Sequence, residues 1–249
     1  MIDVPITHFR PLEIGTPWKR LVELGYSEDM DVNELKSDDQ VLEIFPQDII
    51  LSSNAELHLS STCKFVDDEL TKIYGMEPFF NYESKKDLVG HLGIGLAPHT
   101  SGGVLCRIIG WTDASAGYAH PLFHAAKRRN CDGDEDCVML LLEGLLNFSK
   151  DILPSNRGGQ MDAPLVLTTR LLPNQIDKEA LNVDCSWSYP LEFYQATLSQ
   201  PHSSGVKGFV DMVENRVGSI GDVRGYGWTH DSAGLCSGCL LYTSDAADD

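Results

Sequence analysis

The stretch Asn130-Cys131-Asp132-Gly133-Asp134-Glu135-Asp136 constrains this chain more than any other. It sets three aspartates at i, i+2 and i+4 around one glycine, with Glu135 wedged between two of them, directly after the basic triplet Lys127-Arg128-Arg129. Two carboxylates about 4 Å apart repel by roughly 4 kcal/mol at a surface-like effective dielectric near ~20. A fold that gathers several of them needs a compensating cation. Magnesium is the usual one where the ligands are carboxylates, water and substrate phosphates. The loop is therefore expected to hold catalytic metal for phosphoryl or nucleotidyl transfer.

Other chemistries also produce an acidic run. An acidic run is most often a solvated face. This one lies between apolar segments, is flanked by opposite charge, and carries Gly133, which permits a curled backbone that aims alternate carboxylates at one point. A calcium loop is the sharper rival, since Asp132, Asp134, Asp136 and Glu143 fall at positions 1, 3, 5 and 12 of an EF-hand. Cys137 then occupies the position that needs glycine, and Leu140 to Leu142 add no side-chain oxygen, so that reading is weak. His120 and His124, at i and i+4, lack a third ligand at helical spacing and read as packing or phosphate-contacting residues. The pair Cys236 and Cys239 is half a zinc motif at best.

Composition sets the frame. The 249 residues can bury a substantial core as one large domain or two small ones. No apolar run approaches the ~20 residues of a membrane span. The start Met1-Ile2-Asp3-Val4-Pro5 lacks the regions of a signal peptide, so a cytoplasmic location is expected. Seven scattered cysteines read as reduced thiols. The net charge of −18 is awkward for a chain that would grip nucleic acid alone, because phosphate contacts call for basic surface.

Taken in order, Pro17–Leu24 predicts a short helix closed by Gly25, and Asp29–Asp39 an exposed acidic loop. Gln40–Leu51 predicts a strand broken or bulged at Pro46, and Asn54–Tyr74 a helix ended by Gly75. Leu88–Gly110, apolar runs split by glycine and proline, predicts buried strands joined by tight turns, one of them at His99–Gly103. Val138–Phe148 reads as a largely buried helix, Ala163–Leu171 as a strand, Tyr189–Leu198 as a helix or strand, and Val206–Arg216 as a modest amphipathic helix. Strands dispersed among helices predict a mixed α/β, or α+β, fold. The tail Cys236–Asp249 has no periodicity and reads as non-native.

The run from His120 to Asp136 closely resembles the catalytic region of the large subunit of archaeal family D DNA polymerase. So do residues 90–104 (GHLGIGLAPHTSGGV), 157–170 (RGGQMDAPLVLTTR) and 189–197 (YPLEFYQAT). Thr7-His8-Phe9 with Glu13-Ile14-Gly15, and Thr229-His230-Asp231, fit as well, so the likeness covers about residues 1–235. That family is similar in its core to multi-subunit RNA polymerases, which carry an Asn-x-Asp-x-Asp-x-Asp loop on a double-psi β-barrel. Asn130, Asp132, Asp134 and Asp136 match the pattern.

The resemblance implies template-directed addition of deoxynucleotides to a primer 3′ end with two Mg²⁺ (or Mn²⁺) ions. It implies Asp132 and Asp134 as principal catalytic metal ligands, Asp136 as a third, and Asn130 as an orienting or substrate contact. Lys127, Arg128 and Arg129 become candidates for phosphate neutralisation, with His120 and His124 nearby. The implied layout is a barrel-flanking segment at 1–80, the catalytic barrel with flanking helices at 81–200, a connector at 201–235 and the tail at 236–249. The implied partners are primed DNA, deoxynucleotides, a small exonuclease subunit and a sliding clamp, with no membrane. The family's large subunit is several times longer and carries catalytic lysines on a second, upstream barrel. This chain is thus expected to be an internal fragment, inactive alone, which also accounts for its acidity.

Overall fold

The computed structural model describes residues 1–97, 102–128, 134–147, 166–176, 181–227 and 234–235. These residues form a mixed α/β fold built on a seven-stranded sheet. The strands are β1 (Ile2–Pro5), β2 (His8–Phe9), β3 (Leu42–Glu43), β4 (Asp48–Ser52), β5 (Leu92–Leu96), β6 (Gly102–Thr112), β7 (Ala116–Ala119), β8 (Cys137–Leu140) and β9 (Val166–Thr168). The helices are α1 (Trp18–Glu23), α2 (Glu56–Lys72), α3 (Pro121–Ala126), α4 (Leu141–Asn147) and α5 (Leu191–Thr197).

The sheet runs β1-β7-β4-β6-β5-β8, with β9 added to β6, while β2 and β3 form a separate antiparallel pair. β1/β7, β4/β6 and β6/β9 are parallel; β4/β7, β5/β6 and β5/β8 are antiparallel. Glu135, just before β8, forms an antiparallel bridge to Ile2 of β1. The two ends of the strand order therefore meet, and the sheet closes on itself through the acidic segment. β1 and β4 come from the stretch read as flanking, yet both are strands of the same sheet as β5 to β8.

Alternation of side chains fixes what each face buries. Ile49, Leu51 and Ile108 join a core with Leu59, Cys63, Val66 and Leu70 of α2. Ile50 and Ile109 face the other way, onto Phe9, Ile14, Leu21, Tyr26 and Tyr118. The buried α2 positions recur at helical spacing, whereas Leu57, Phe65 and Ile73, expected on the same helix, are exposed. Asp67 of α2 ties down the next loop by accepting 2.8 Å hydrogen bonds from the backbone N–H groups of Phe79, Phe80 and Asn81.

Several expectations need correcting. Residues 137–140 are a strand rather than the first turn of a helix: Val138, Met139 and Leu140 pair with β5, and α4 starts only at Leu141. A short apolar run has no internal signal that separates strand from buried helix, and here the open edge of β5 decides. Val206–Arg216 is two 3₁₀ turns, Lys207–Phe209 and Val213–Arg216, not one helix. Pro46 falls between β3 and β4, as a break.

Glycines of the 88–110 stretch also sit inside strands rather than only between them. A Cβ on Gly95 would lie 2.6 Å from Phe123 Cζ and 3.1 Å from Lys127 Cδ, so its bareness lets α3 and Lys127 lie flat on β5. A Cβ on Gly110 would meet Ile14 Cβ at 2.7 Å and the Ile14 carbonyl oxygen at 2.8 Å. Because part of that obstacle is backbone, Gly110→Ala should destabilise the fold by about 1–3 kcal/mol in urea titration. Gly102→Ala, whose Cβ would meet nothing within 4 Å, is the matched control and should unfold near the wild-type midpoint.

Candidate functional site

The acidic segment is seamed to the first strand. Asp3 N–H donates to the Asp134 carbonyl at 2.9 Å, and Asp136 N–H donates to the Met1 carbonyl at 2.8 Å. The Met1 nitrogen returns a bond to the Asp136 carbonyl at 3.0 Å. This register fixes the backbone of residues 134–136 whatever their side chains do.

α3 supplies the opposite wall. Pro121 suits its first turn, where no backbone N–H is needed, and His120 caps it by accepting the Leu122 N–H on Nδ1 at 3.1 Å. Leu122, Phe123, His124 and Ala125 are buried, which presses the helix onto the sheet. The helix stops at Lys127, and Arg128 adopts φ 61, a left-handed conformation that costs a non-glycine residue roughly 1–2 kcal/mol. That bend carries the chain from α3 towards the acidic loop and leaves Arg128 exposed.

A buried charge cluster lies between these walls. Lys127 Nζ is ion-paired with Asp136 Oδ2 and lies 3.3 Å from Asp3 Oδ2. His124 Nδ1 is 3.1 Å from the same Asp3 oxygen, and its Nε2 is 3.2 Å from the Val4 carbonyl. Asp136 Oδ1 also accepts the Cys137 N–H at 2.8 Å. The four residues are each 1–5 % exposed. Burial works to raise the Asp3 carboxyl, but the His124 hydrogen bond and the Lys127 ammonium outweigh it and hold it below the usual carboxylate value.

The structure thus brings together Lys127, His124 and Asp136 of the expected site residues, with Asp134 joined through its backbone. It adds Asp3, which sequence reading missed. The available signal was a lone acid inside the apolar strand Ile2-Asp3-Val4. Asn130, Asp132 and Arg129 lie outside the described residues, as do Thr229-His230-Asp231 and the tail. His120 stands apart from the cluster's carboxylates; its ring packs edge-on against Tyr226 with centroids 5.0 Å apart.

One ligand atom each from Asp3, His124 and Asp136 lie within 4.8 Å of one another, close enough to share a cation. Lys127 already brings a positive charge to that spot. The carboxylate oxygens suit a hard divalent ion, and Lys127 neutralises the inward pair independently of metal. Asp134 is half-buried at the start of the seam.

Two neighbouring histidines make the fold acid-sensitive. Burial pushes His8 down to about 4 and His120 down to about 3. Both stay neutral in the folded chain and take a proton only on unfolding. Their contribution is complete above pH 6.5 and is lost as pH falls towards those values. Unfolding free energy should therefore drop by about 1.4 kcal/mol per pH unit for each histidine between roughly pH 6 and 4. Denaturant titrations should show about half the combined slope in His120→Asn, which retains a capping side chain.

Residues 1–244 match the family model described as "DNA polymerase II large subunit DP2, catalytic domain". The chain is 54% identical over 246 residues to the DNA polymerase II large subunit of Methanocorpusculum labreanum, covering 98% of this chain and 22% of that one. It is 54% identical over 236 residues to the proteins of that name from Archaeoglobus fulgidus and Pyrococcus furiosus, covering 95% of this chain and 21% and 19% of theirs. It spans about a fifth of the length of these relatives. Among the described residues, no helix is long and apolar enough to cross a membrane.

Proposed function

Because the chain belongs to the family of the DNA polymerase II large subunit catalytic domain, we propose that it is the metal-holding part of a template-directed DNA polymerase. The observation that carries this reading is the seam between the acidic segment and β1, which anchors Asp134 and Asp136 by main-chain bonds at the closure of the sheet. Acids gathered on a rigid backbone are what two-metal phosphoryl transfer requires, since that chemistry depends on positioning and charge stabilisation more than on a tuned base. The closed strand circuit is read as a double-psi β-barrel.

Asp132 and Asp134 would hold Mg²⁺ or Mn²⁺, with Asp136 as the third, inner acid. Two such ions, when bound, would supply charge stabilisation to the attacking and leaving oxygens. Lys127 keeps Asp136 turned inward. Arg128, exposed on the bend after α3, would meet substrate phosphate, and so would its sequence neighbour Arg129. Asn130 orients substrate. His120 and His124, both buried, shape the wall behind the loop rather than reaching a phosphate directly.

With a net charge of −18, the chain leaves the basic DNA-gripping surface to the rest of a longer polypeptide. The proposed partners are primed template and deoxynucleotides, a small exonuclease subunit and a sliding clamp, in the cytoplasm; the chain alone is expected not to polymerise. The test is to incubate the complete two-subunit enzyme with primed template, deoxynucleotides and Mg²⁺. Primer extension supports the reading, while shortening without extension makes the acids those of a nuclease. Stabilisation by micromolar calcium with synthesis intact in Asp134→Ala would instead make the loop a calcium-binding module.

A further inference from the structure

We propose that Asp3 is a positioning residue for the acidic loop, holding it from two directions at once; the inference rests on the metal-binding reading above. Its backbone N–H holds the Asp134 carbonyl at 2.9 Å. Its carboxylate, 3 % exposed, lies 3.3 Å from Lys127 Nζ, and Lys127 in turn pairs with Asp136. His124 Nδ1, 3.1 Å from the same carboxylate oxygen, fixes the orientation of the Asp3 side chain from α3. β1 is itself locked by its parallel register with β7, in which Asp3 faces Gly117.

The consequence concerns the metal site. Acids of like charge on one loop spread apart unless something restrains them, and every restraint in place before metal arrives lowers the rearrangement needed to bind it. Asp3 restrains both ends of the segment 134–136: the first through backbone and the last through the Lys127 relay. Residues supporting metal ligands in this indirect way typically change metal affinity or activity by about 10–100-fold when removed. Asp3 meets Asp134 through main chain and Asp136 through Lys127, so its loss should appear first as a higher metal requirement.

Asp3→Asn is the informative change. It keeps the backbone N–H and the side-chain shape, and it leaves Lys127 and Asp136 as a balanced pair. In the full-length two-subunit enzyme, the Mg²⁺ concentration for half-maximal primer extension should rise by about tenfold or more, while the rate at saturating Mg²⁺ falls much less. Mn²⁺ binding to the enzyme without DNA, followed by titration calorimetry, should weaken by a similar factor. A wild-type Mg²⁺ requirement together with wild-type Mn²⁺ binding overturns the proposal. If Asp3→Asn does not fold, Asp3→Glu, which keeps the charge but displaces it by one methylene, should shift both measurements several-fold, and no shift again overturns it. Asp134→Ala separates this inference from its premise. Should Asp134→Ala still synthesise DNA, the metal reading itself fails. Should Asp134→Ala be inactive while Asp3→Asn behaves as wild type, only the role of Asp3 fails.

Discussion

Lys127→Met should destabilise the fold by about 3–5 kcal/mol, the usual consequence of removing one partner from a buried ion pair. The substitution keeps the apolar stem that packs beside Gly95 and over the Phe123 ring, whose centroid lies 4.7 Å from Nζ, and removes only the ammonium. Asp3 and Asp136 would then face each other at 3 % and 5 % exposure with His124 as the remaining neighbour. Two buried carboxylates without a cation are tolerated best when one takes a proton, so the penalty should shrink as pH falls. This sign is opposite to the wild type. There Asp3 sits below its ordinary value, and its contribution, present above about pH 3.8, is lost on acidification. Urea titrations of both proteins at pH 8 and pH 5 make the comparison. A penalty under ~1 kcal/mol, or one that grows on acidification, would show that Lys127 is not the counter-ion of this cluster.

If the full-length protein is the proposed two-subunit polymerase, Asp134→Ala should reduce primer extension by about 10²–10³-fold or more, as removal of one preorganised charge-stabilising group commonly does. The fold should be little affected, because Asp134 is tied to β1 by its backbone carbonyl, which alanine retains. A thermal midpoint within a few degrees of wild type is expected from a change of about ±0.5 kcal/mol. The pairing of large catalytic loss with small stability loss is the signature of an acid kept for chemistry. The same measurement on Lys127→Met should show the reverse ordering, with stability the larger effect. Near-wild-type extension by Asp134→Ala would overturn the metal-binding reading of the loop.

Much of the scaffold was legible because its determinants are local. Pro17 and Gly25 bracket α1, Gly75 follows α2 with φ 65, and the break at Pro46 separates β3 from β4, each through a backbone restriction carried by one residue. The glycines of β5 and β6 were legible only as glycines. Whether Gly95 marks a turn or makes room for α3 depends on Phe123 and Lys127, which arrive from about 30 positions further along. Residues 138–140 depart from the helix expected over Val138–Phe148 for the same reason, since a short apolar run takes the state its neighbour offers, and β5 offers a free edge.

By itself, the sequence determined the acidic loop, its basic prelude, the family to which these motifs belong, and the mixed α/β character. Those properties reside in residue identity and short spacing. Tertiary structure alone decided which charges meet. Asp3 and Lys127 are separated by 124 positions, yet their side chains lie 3.3 Å apart because β1 pairs with β7, the strand that leads into α3. Burial then left Lys127 facing two carboxylates, Asp3 and Asp136. The physical reason is that a charge acquires its role from its dielectric surroundings and its nearest opposite charge, and neither exists until the chain has closed.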